Sequence, residues 1–320
     1  MRILLWHVHG SWTTAFVQGV HDYLVPVLPD RGPDGLGRAR TWDWPTSVVE
    51  LGPERLRDAD VDLVVLQRPH EVELAERWLG RRPGRDLPAV YVEHNTPVGD
   101  VPDTRHPLAG QQEIPIAHVT GFNDLLWDTD GARTVVIDHG IVDPGHRYTG
   151  ELARAATAIN DPVRRGRSVG TDLVAGLLGA GVGVDVFGMR VEQLPPRRGL
   201  AVFEDLPQDA MHAELARRRV YVHLSRWTSL GLSLLEAMHL GMPVVALGTT
   251  EAPMAVPAGA GAVVTRREQL AGAVRRFIEE PEAAAAAGQV ARRHALEHYG
   301  LKRFLADWDA LLAETAEPGR

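Results

Sequence analysis

The 320-residue chain has no cysteine and one lysine, Lys302. The missing thiols exclude disulfides and thiolate metal sites and fit a reducing compartment. We read the missing lysines, beside many arginines, as genomic bias and not as function. There is no excess of positive charge: the net charge is −8, which argues against a nucleic-acid partner. No apolar run approaches the roughly 18 residues of a membrane span. The opening "MRILLWHVHG" carries one basic residue and two histidines, so it reads as a first strand and not as a signal peptide. A cytoplasmic protein is the expectation.

Metal constellations are also scarce. There is no HExxH. "DTD", Asp128 to Asp130, has the spacing of a metal-binding DxD, but it follows a helical stretch and precedes Gly131, so it reads as a turn. His294 and His298 share a helix face but name no third ligand. His7 and His9 should alternate along a strand and face opposite sides. No metal and no cofactor are expected.

What the chain does have is rhythm. Apolar residues make up 44%, enough for two domains to bury a core each. Short β-branched runs alternate with helix-period segments: "RILLWHV", "VDLVVLQ", "AVYVEH", "AHVTGF" and "TVVIDHG", then "ATAIN", "VDVFGM", "VYVHLS", "PVVAL" and "GAVV". Strands alternating with helices of 10 to 15 residues imply βαβ units and a parallel sheet. Two such series imply an α/β protein of two Rossmann-like domains. The Gly- and Pro-rich stretch between Asp138 and Ala155 marks the boundary, giving domains 1–148 and 149–298. One stretch, Pro29 to Pro45, breaks the rhythm. It is either a mobile surface loop or an acceptor loop whose Trp42 and Trp44 stack on a ligand.

In open α/β sheets, ligands sit at the carboxyl ends of strands. Four stretches stand there. Gly10 and Ser11 close the first strand and open a helix, as a tight turn or as a loop for a polar ligand. His94 ends an interior strand, in a structural or a catalytic role, and Gln67 and Arg68 occupy the matching edge one unit earlier. Arg164, Arg165 and Arg167 follow the first strand of the second domain, as a solvated basic turn or a diphosphate clamp. "TSLGLSLLEAMHL" then places Ser229, Leu230, Gly231 and Leu232 at the start of a helix from Leu230 to Leu240 that carries Glu236 among apolar residues. A carboxylate there is costly to desolvate without a partner. The turn's amides and the helix dipole would take phosphate, and Glu236 would take two ribose hydroxyls. The bland reading is a structural acid paired with an arginine.

Together these segments resemble a GT-B glycosyltransferase of the family 4 type. "GLSLLEAMHLGMPVVA" is similar to the second half of the family's E-x7-E motif. "VVIDHGIVDP", "VEHNTP", "GTTEAP" and "EHYGLKRF" are similar to its domain junction, its active-site histidine segment, the loop after the motif and the start of its final helix. The resemblance implies a GT-B fold, with the two domains facing across a cleft and a last helix, 299–320, crossing back to the first domain. It implies retaining, metal-independent sugar transfer from a nucleotide-sugar donor, UDP or GDP, to a small-molecule or glycan acceptor. His94 would lie by the donor sugar. Glu236 would hold ribose, with Arg165, Arg167 and the Ser229–Leu232 turn on the diphosphate. Trp12, Trp42, Trp44, Gln67 and Arg68 are acceptor candidates. Two departures stand out. Thr228 occupies the place of the motif's first glutamate. Arg165-Gly166, or in another alignment Val169-Gly170 with Arg164 and Arg167, replaces the family's lysine-glycine. The first departure leaves open a non-catalytic nucleotide-sugar binder. A third reading is another GT-B enzyme, such as a nucleotide-sugar epimerase.

Overall fold

The structure, a computed structural model, describes residues 1–317. The chain forms two compact units: Met1–Val142 joined by the segment from Leu301 onward, and Asp143–Gly300. The division thus falls earlier than the expected 148/149. The last three residues of the expected 299–320 helix lie outside the described residues.

The first unit carries a parallel sheet of seven strands: β1 (Arg2–Leu5), β2 (Asp22–Pro26), β3 (Val48–Leu51), β4 (Leu63–Leu66), β5 (Ala89–Glu93), β6 (Ile116–His118) and β7 (Thr134–Val136). Their order is β3-β2-β1-β4-β5-β6-β7. Helices α1 (Gly10–Phe16), α2 (Pro53–Leu56), α3 (Glu71–Leu79) and α4 (Gly121–Leu126) connect them. The second unit carries six parallel strands: β8 (Leu152–Ala158), β9 (Val184–Gly188), β10 (Leu200–Glu204), β11 (Arg218–His223), β12 (Val244–Leu247) and β13 (Gly261–Val264). They run in the order β10-β9-β8-β11-β12-β13. Its helices are α5 (Pro162–Arg165), α6 (Thr171–Gly179), α7 (Gln208–Leu215), α8 (Leu232–Leu240), α9 (Ala252–Ala255), α10 (Arg267–Glu279) and α11 (Pro281–His298). Parallel strands covered on both faces read as unbroken apolar runs. Strand β4, "LVVL", is buried at all four positions.

Three strands were not anticipated: β2, β3 and β10. Strand β1 stops at Leu5, so His7 and His9 lie in the loop beyond it and not on opposite faces of a strand. The Pro29–Pro45 stretch is pinned by its arginines. Arg38 donates to the carbonyls of Trp44 at 2.7 Å and Pro45 at 3.0 Å, and Arg31 pairs with Glu50 at 2.9 Å. "DTD" is a turn: the Asp128 carboxylate accepts from the Asp130 N–H at 3.0 Å, and Asp130 has φ of +47°.

The final helix, α12 (Leu301–Ala316), belongs to the first unit and buries Phe304, Trp308, Leu311 and Leu312 there. Its Trp308 ring lies 5.5 Å from Trp12 and 5.2 Å from Phe16. Gly140 meets Phe304 so closely that any Cβ would collide with it. Burying each large apolar side chain contributes about 1.5–3 kcal/mol. This packing corrects one expectation. Trp12 is 0% exposed, a core residue under α12, and it offers no face to an acceptor. Trp44 is buried too, its indole N–H donating to Thr14 Oγ1 at 2.8 Å.

Candidate functional site

Each sheet reverses its strand order once, between β1 and β4 in the first unit and between β8 and β11 in the second. Such switch points open crevices at the carboxyl ends of the strands. Most of the residues singled out from the sequence stand on the loops that leave these four strands.

In the second unit, β8 leads into Asn160–Gly170 and β11 into Leu224–Gly231. Arg226 ties the two loops together. Its guanidinium grips Asp172 with two bonds of 2.7 and 2.8 Å and donates to the Arg167 carbonyl at 2.7 Å, while its backbone N–H reaches the Ser168 carbonyl at 2.7 Å. Sequence reasoning missed Arg226, because a bidentate grip on a residue 54 positions away leaves no local pattern. Gly170 permits this approach: it has φ of +83°, and a Cβ there would strike the Leu224 carbonyl.

The three arginines are not equivalent. Arg164 is paired with Asp161 at 2.8 Å and Arg167 with Asp172 at 3.2 Å. Among the described residues, the Arg165 guanidinium makes neither an ion pair nor a hydrogen bond. Arg165 is exposed, yet partial desolvation and the neighbouring Arg164 pull its pKa below the usual arginine value. An anion beside Arg165 would offset both. We therefore expect Arg165→Ala to weaken a nucleoside diphosphate far more than the bare nucleoside, and Arg167→Ala to do much less. Titration calorimetry with UDP and uridine checks this; equal losses for both ligands would show that Arg165 does not touch phosphate.

Helix α8 begins at Leu232, later than the expected Leu230, because Gly231 is extended (φ −73°, ψ 116°) and serves as its N-cap. Gly231 is needed for close approach, but the neighbour is the His223 ring, which occupies the space a Cβ would need. His223 is buried, and burial lowers its pKa to about 4, so this ring is neutral near pH 7. Ser229 and Leu230 are buried, while Thr228 is half-buried, and its hydroxyl makes no hydrogen bond among the described residues.

Glu236 is 3% exposed. It meets His212, whose Nε2 stands 3.4 Å from the carboxylate and 2.8 Å from the Gln208 amide. The shorter contact belongs to Gln208, so the imidazole only loosely engages the acid. Burial pushes the Tyr221 phenol up to about 12, and the Glu236 charge adds to the shift. Tyr221 donates to Ser233 Oγ at 2.8 Å, one turn before Glu236. Gln208 and His212 come from α7, at i and i+4; nothing in the sequence directs that face toward Glu236.

In the first unit, His94 is buried, and its Nε2 stands 3.0 Å from Gln67 Oε1. The His9 ring lies 4.1 Å from it. His139 is buried nearby with an unpartnered Nδ1, and the Arg303 guanidinium donates to its carbonyl at 2.7 Å. Burial lowers His94 well below the usual histidine range and His139 to about 3, with the neighbouring histidines contributing to both. The three rings gather at the carboxyl edges of β1, β5 and β7, and burial disfavours the charged form of His94 and His139. His9 and His139 satisfied the same strand-edge criterion that pointed to His94, and reading missed them. Gly10 opens α1, where a Cβ would lie 3.4 Å from the Trp42 indole nitrogen; Trp42 therefore covers the Gly10–Ser11 end of the helix and is half-buried. Arg68 is engaged with Glu71 at 2.7 Å and Asp34 at 3.1 Å through Nε and Nη1. Gln67 is 1% exposed and faces inward.

Among the described residues, no three His, Asp or Glu side chains converge as metal ligands, and no helix is long and apolar enough to cross a membrane.

Residues 170–294 match the family described as glycosyl transferases group 1. No curated protein matched. Among solved structures, sucrose-phosphate synthase from Thermosynechococcus elongatus superposes with a TM-score of 0.72 at 12% identity, over 98% of each chain. HepE from Anabaena, solved with UDP, gives 0.67 at 15% identity over 98% of this chain and 100% of that one. A glycosyltransferase from Rickettsia africae gives 0.66 at 13% identity, over 99% of each chain. These likenesses establish the fold, two parallel-sheet α/β domains of the GT-B kind.

Proposed function

We propose that the protein is a glycosyltransferase moving a sugar from a nucleotide-diphosphate sugar, UDP or GDP, to a small-molecule or glycan acceptor. The observation that carries this reading is a single constellation in the second unit. An uncommitted arginine, a turn opening a helix and a buried acid one turn further on stand at one switch point, mostly within the stretch that matches group 1 glycosyl transferases. The partial positive charge of the α8 N-terminus and the Arg165 guanidinium suit a diphosphate, and as leaving-group stabilisers they act where charge develops. Glu236, as an acceptor of two hydrogen bonds, suits a ribose diol. Neighbouring structures solved with UDP make it the first nucleotide to test. Retention at the anomeric carbon and independence of metal belong to the same proposal, as does His94 beside the donor sugar.

The test is release of free nucleoside diphosphate from UDP-glucose or GDP-mannose with acceptor extracts, in EDTA. Activity abolished by EDTA and restored by Mg²⁺ or Mn²⁺ would overturn metal independence. In parallel, Glu236→Ala should weaken UDP by about 1.5–3 kcal/mol, the usual loss of a charge-assisted hydrogen bond, while circular dichroism stays that of the folded protein. That is roughly a ten- to hundredfold rise in Kd. Unchanged UDP affinity in the mutant would remove Glu236 from the site.

Thr228 favours a second reading, a nucleotide-sugar binder without turnover, since a hydroxyl cannot supply a carboxylate. If the protein does turn over, a site lacking that acid need not demand the sugar hydroxyl it would bind. Thr228→Glu should then shift donor preference toward ordinary hexoses with little change in UDP affinity. A donor panel giving the same ranking for wild type and mutant would place Thr228 outside the sugar site.

A further inference from the structure

The side chain of Gln67 joins the ends of two neighbouring strands. It follows β4, and its amide Nε2 donates to the Trp6 carbonyl, just beyond β1, at 2.6 Å. Its Oε1 lies 3.0 Å from His94 Nε2, just beyond β5. Gln67 is 1% exposed, so no solvent competes for either contact.

An amide has one donating end and one accepting end, and its orientation is ordinarily an assignment from the surrounding hydrogen bonds. Here the surroundings leave a single choice. Turning the amide over would set Oε1 against the Trp6 carbonyl oxygen at hydrogen-bond distance, two acceptors with no proton between them. The Trp6 carbonyl therefore fixes Gln67, and Gln67 presents an acceptor to His94. The backbone beneath is held as well: the Gln67 N–H donates to Glu71 Oε2 at 2.6 Å, and Arg68 holds the other oxygen of the same carboxylate at 2.7 Å.

We infer that Gln67 is a positioning residue, which fixes the His94 imidazole as the Nε2–H tautomer through a relay that starts at the Trp6 carbonyl. His94 is buried among the rings of His9 and Trp12, with centroids at 4.1 and 5.0 Å, so its orientation is set by packing as well as by the hydrogen bond. A neutral imidazole carries one N–H. With that proton directed into the protein at Nε2, Nδ1 is left as an acceptor. Taken with the proposal above that His94 lies by the donor sugar, on which this consequence rests, Nδ1 can only accept a hydrogen bond and not donate one, whichever group meets it. Gln67, considered from the sequence as an acceptor contact, thus acts from behind His94.

The experiment reads the tautomer directly. Long-range ¹H–¹⁵N spectra of protein labelled with ¹⁵N-histidine, with His94 assigned by its absence in His94→Asn, should show a protonated Nε2 and a bare Nδ1 for His94. In Gln67→Met, which keeps the bulk and loses the amide, that single form should give way to a mixture or to Nδ1–H. In Gln67→Glu, whose buried carboxyl can keep one proton on the Trp6 carbonyl and turn its other oxygen to Nε2, the Nε2 proton should remain; this variant carries the test if the methionine variant does not fold. A wild-type His94 protonated at Nδ1 alone, a Gln67→Met spectrum identical to wild type, or loss of the Nε2 proton in Gln67→Glu would each overturn the inference. Since none of these spectra needs substrate, failure of the wild-type protein to bind UDP-glucose would count against the proposed function and leave the tautomer result standing.

Discussion

Lowering the pH from 7 to 4 should destabilise the first unit by several kcal/mol through its buried histidines. His118 is 0% exposed and burial lowers its pKa to about 4; His139 is lowered by burial to about 3, and His94 well below the usual range. These folded-state values lie below the unfolded value near 6.5. The unfolded chain therefore takes up protons that the folded one refuses, and stability rises with pH through this interval. The contribution is complete above pH 6.5 and declines as pH falls toward the folded values. At about 1.4 kcal/mol for each pH unit and each histidine, His118 and His139 together forfeit on the order of 6 kcal/mol by pH 4. Seven of the eight tryptophans lie in the first unit, so urea titrations followed by tryptophan fluorescence at successive pH values report on it directly. His139→Asn should flatten the slope. A first unit equally stable at pH 7 and 4.5 would mean that these rings are hydrated or already charged.

Replacing Asp185 by alanine should cost the second unit about 3–5 kcal/mol, the usual result of breaking one side of a buried ion pair. Asp185 is 1% exposed and sits on β9 between two arginines, accepting from Arg154 Nε at 2.6 Å and Arg218 Nε at 2.7 Å. Arg218 is itself buried, its guanidinium 5.2 Å from the Phe187 ring and 4.8 Å from Phe203. Glu214 remains on Arg218 at 2.6 Å, so the loss should be smaller than for a lone cation. Arg218 starts β11, the strand that leads into the turn opening α8, and looser packing there would reach that turn. Urea unfolding of the second unit measures the effect. A midpoint that does not move would show that Glu214 alone satisfies Arg218.

The missing strands show where the sequence loses its signal. Strands β3 and β10 lie at sheet edges. Their positions are only partly buried, and an edge strand need not be continuously apolar. Strand β2 is interior but ends on Pro26, and proline lowers any strand assignment. Buried central strands such as β4 and β12 were plain because covering both faces of a parallel sheet demands an apolar residue at nearly every position. The helix carrying Glu236 was equally plain, since one acid among leucines has to be explained by something outside the helix.

By itself, then, the sequence determined the alternation of strand and helix, the two series, and which residues stand at carboxyl edges of strands. Those properties follow from local periodicity and from the stereochemistry of the chain. Tertiary structure alone decided the rest. It withdrew Trp12 and Trp44 from the candidate surface, because α12 returns from the far end of the sequence and covers α1, and because Thr14 takes up the Trp44 indole. It distinguished Arg165 from Arg164 and Arg167, since only folding shows which guanidinium finds a carboxylate. It also gathered His9, His94 and His139, and set Gln67 behind His94. Such contacts join positions tens to hundreds of residues apart; their free energy depends on distance in space and on burial, neither of which a local pattern encodes.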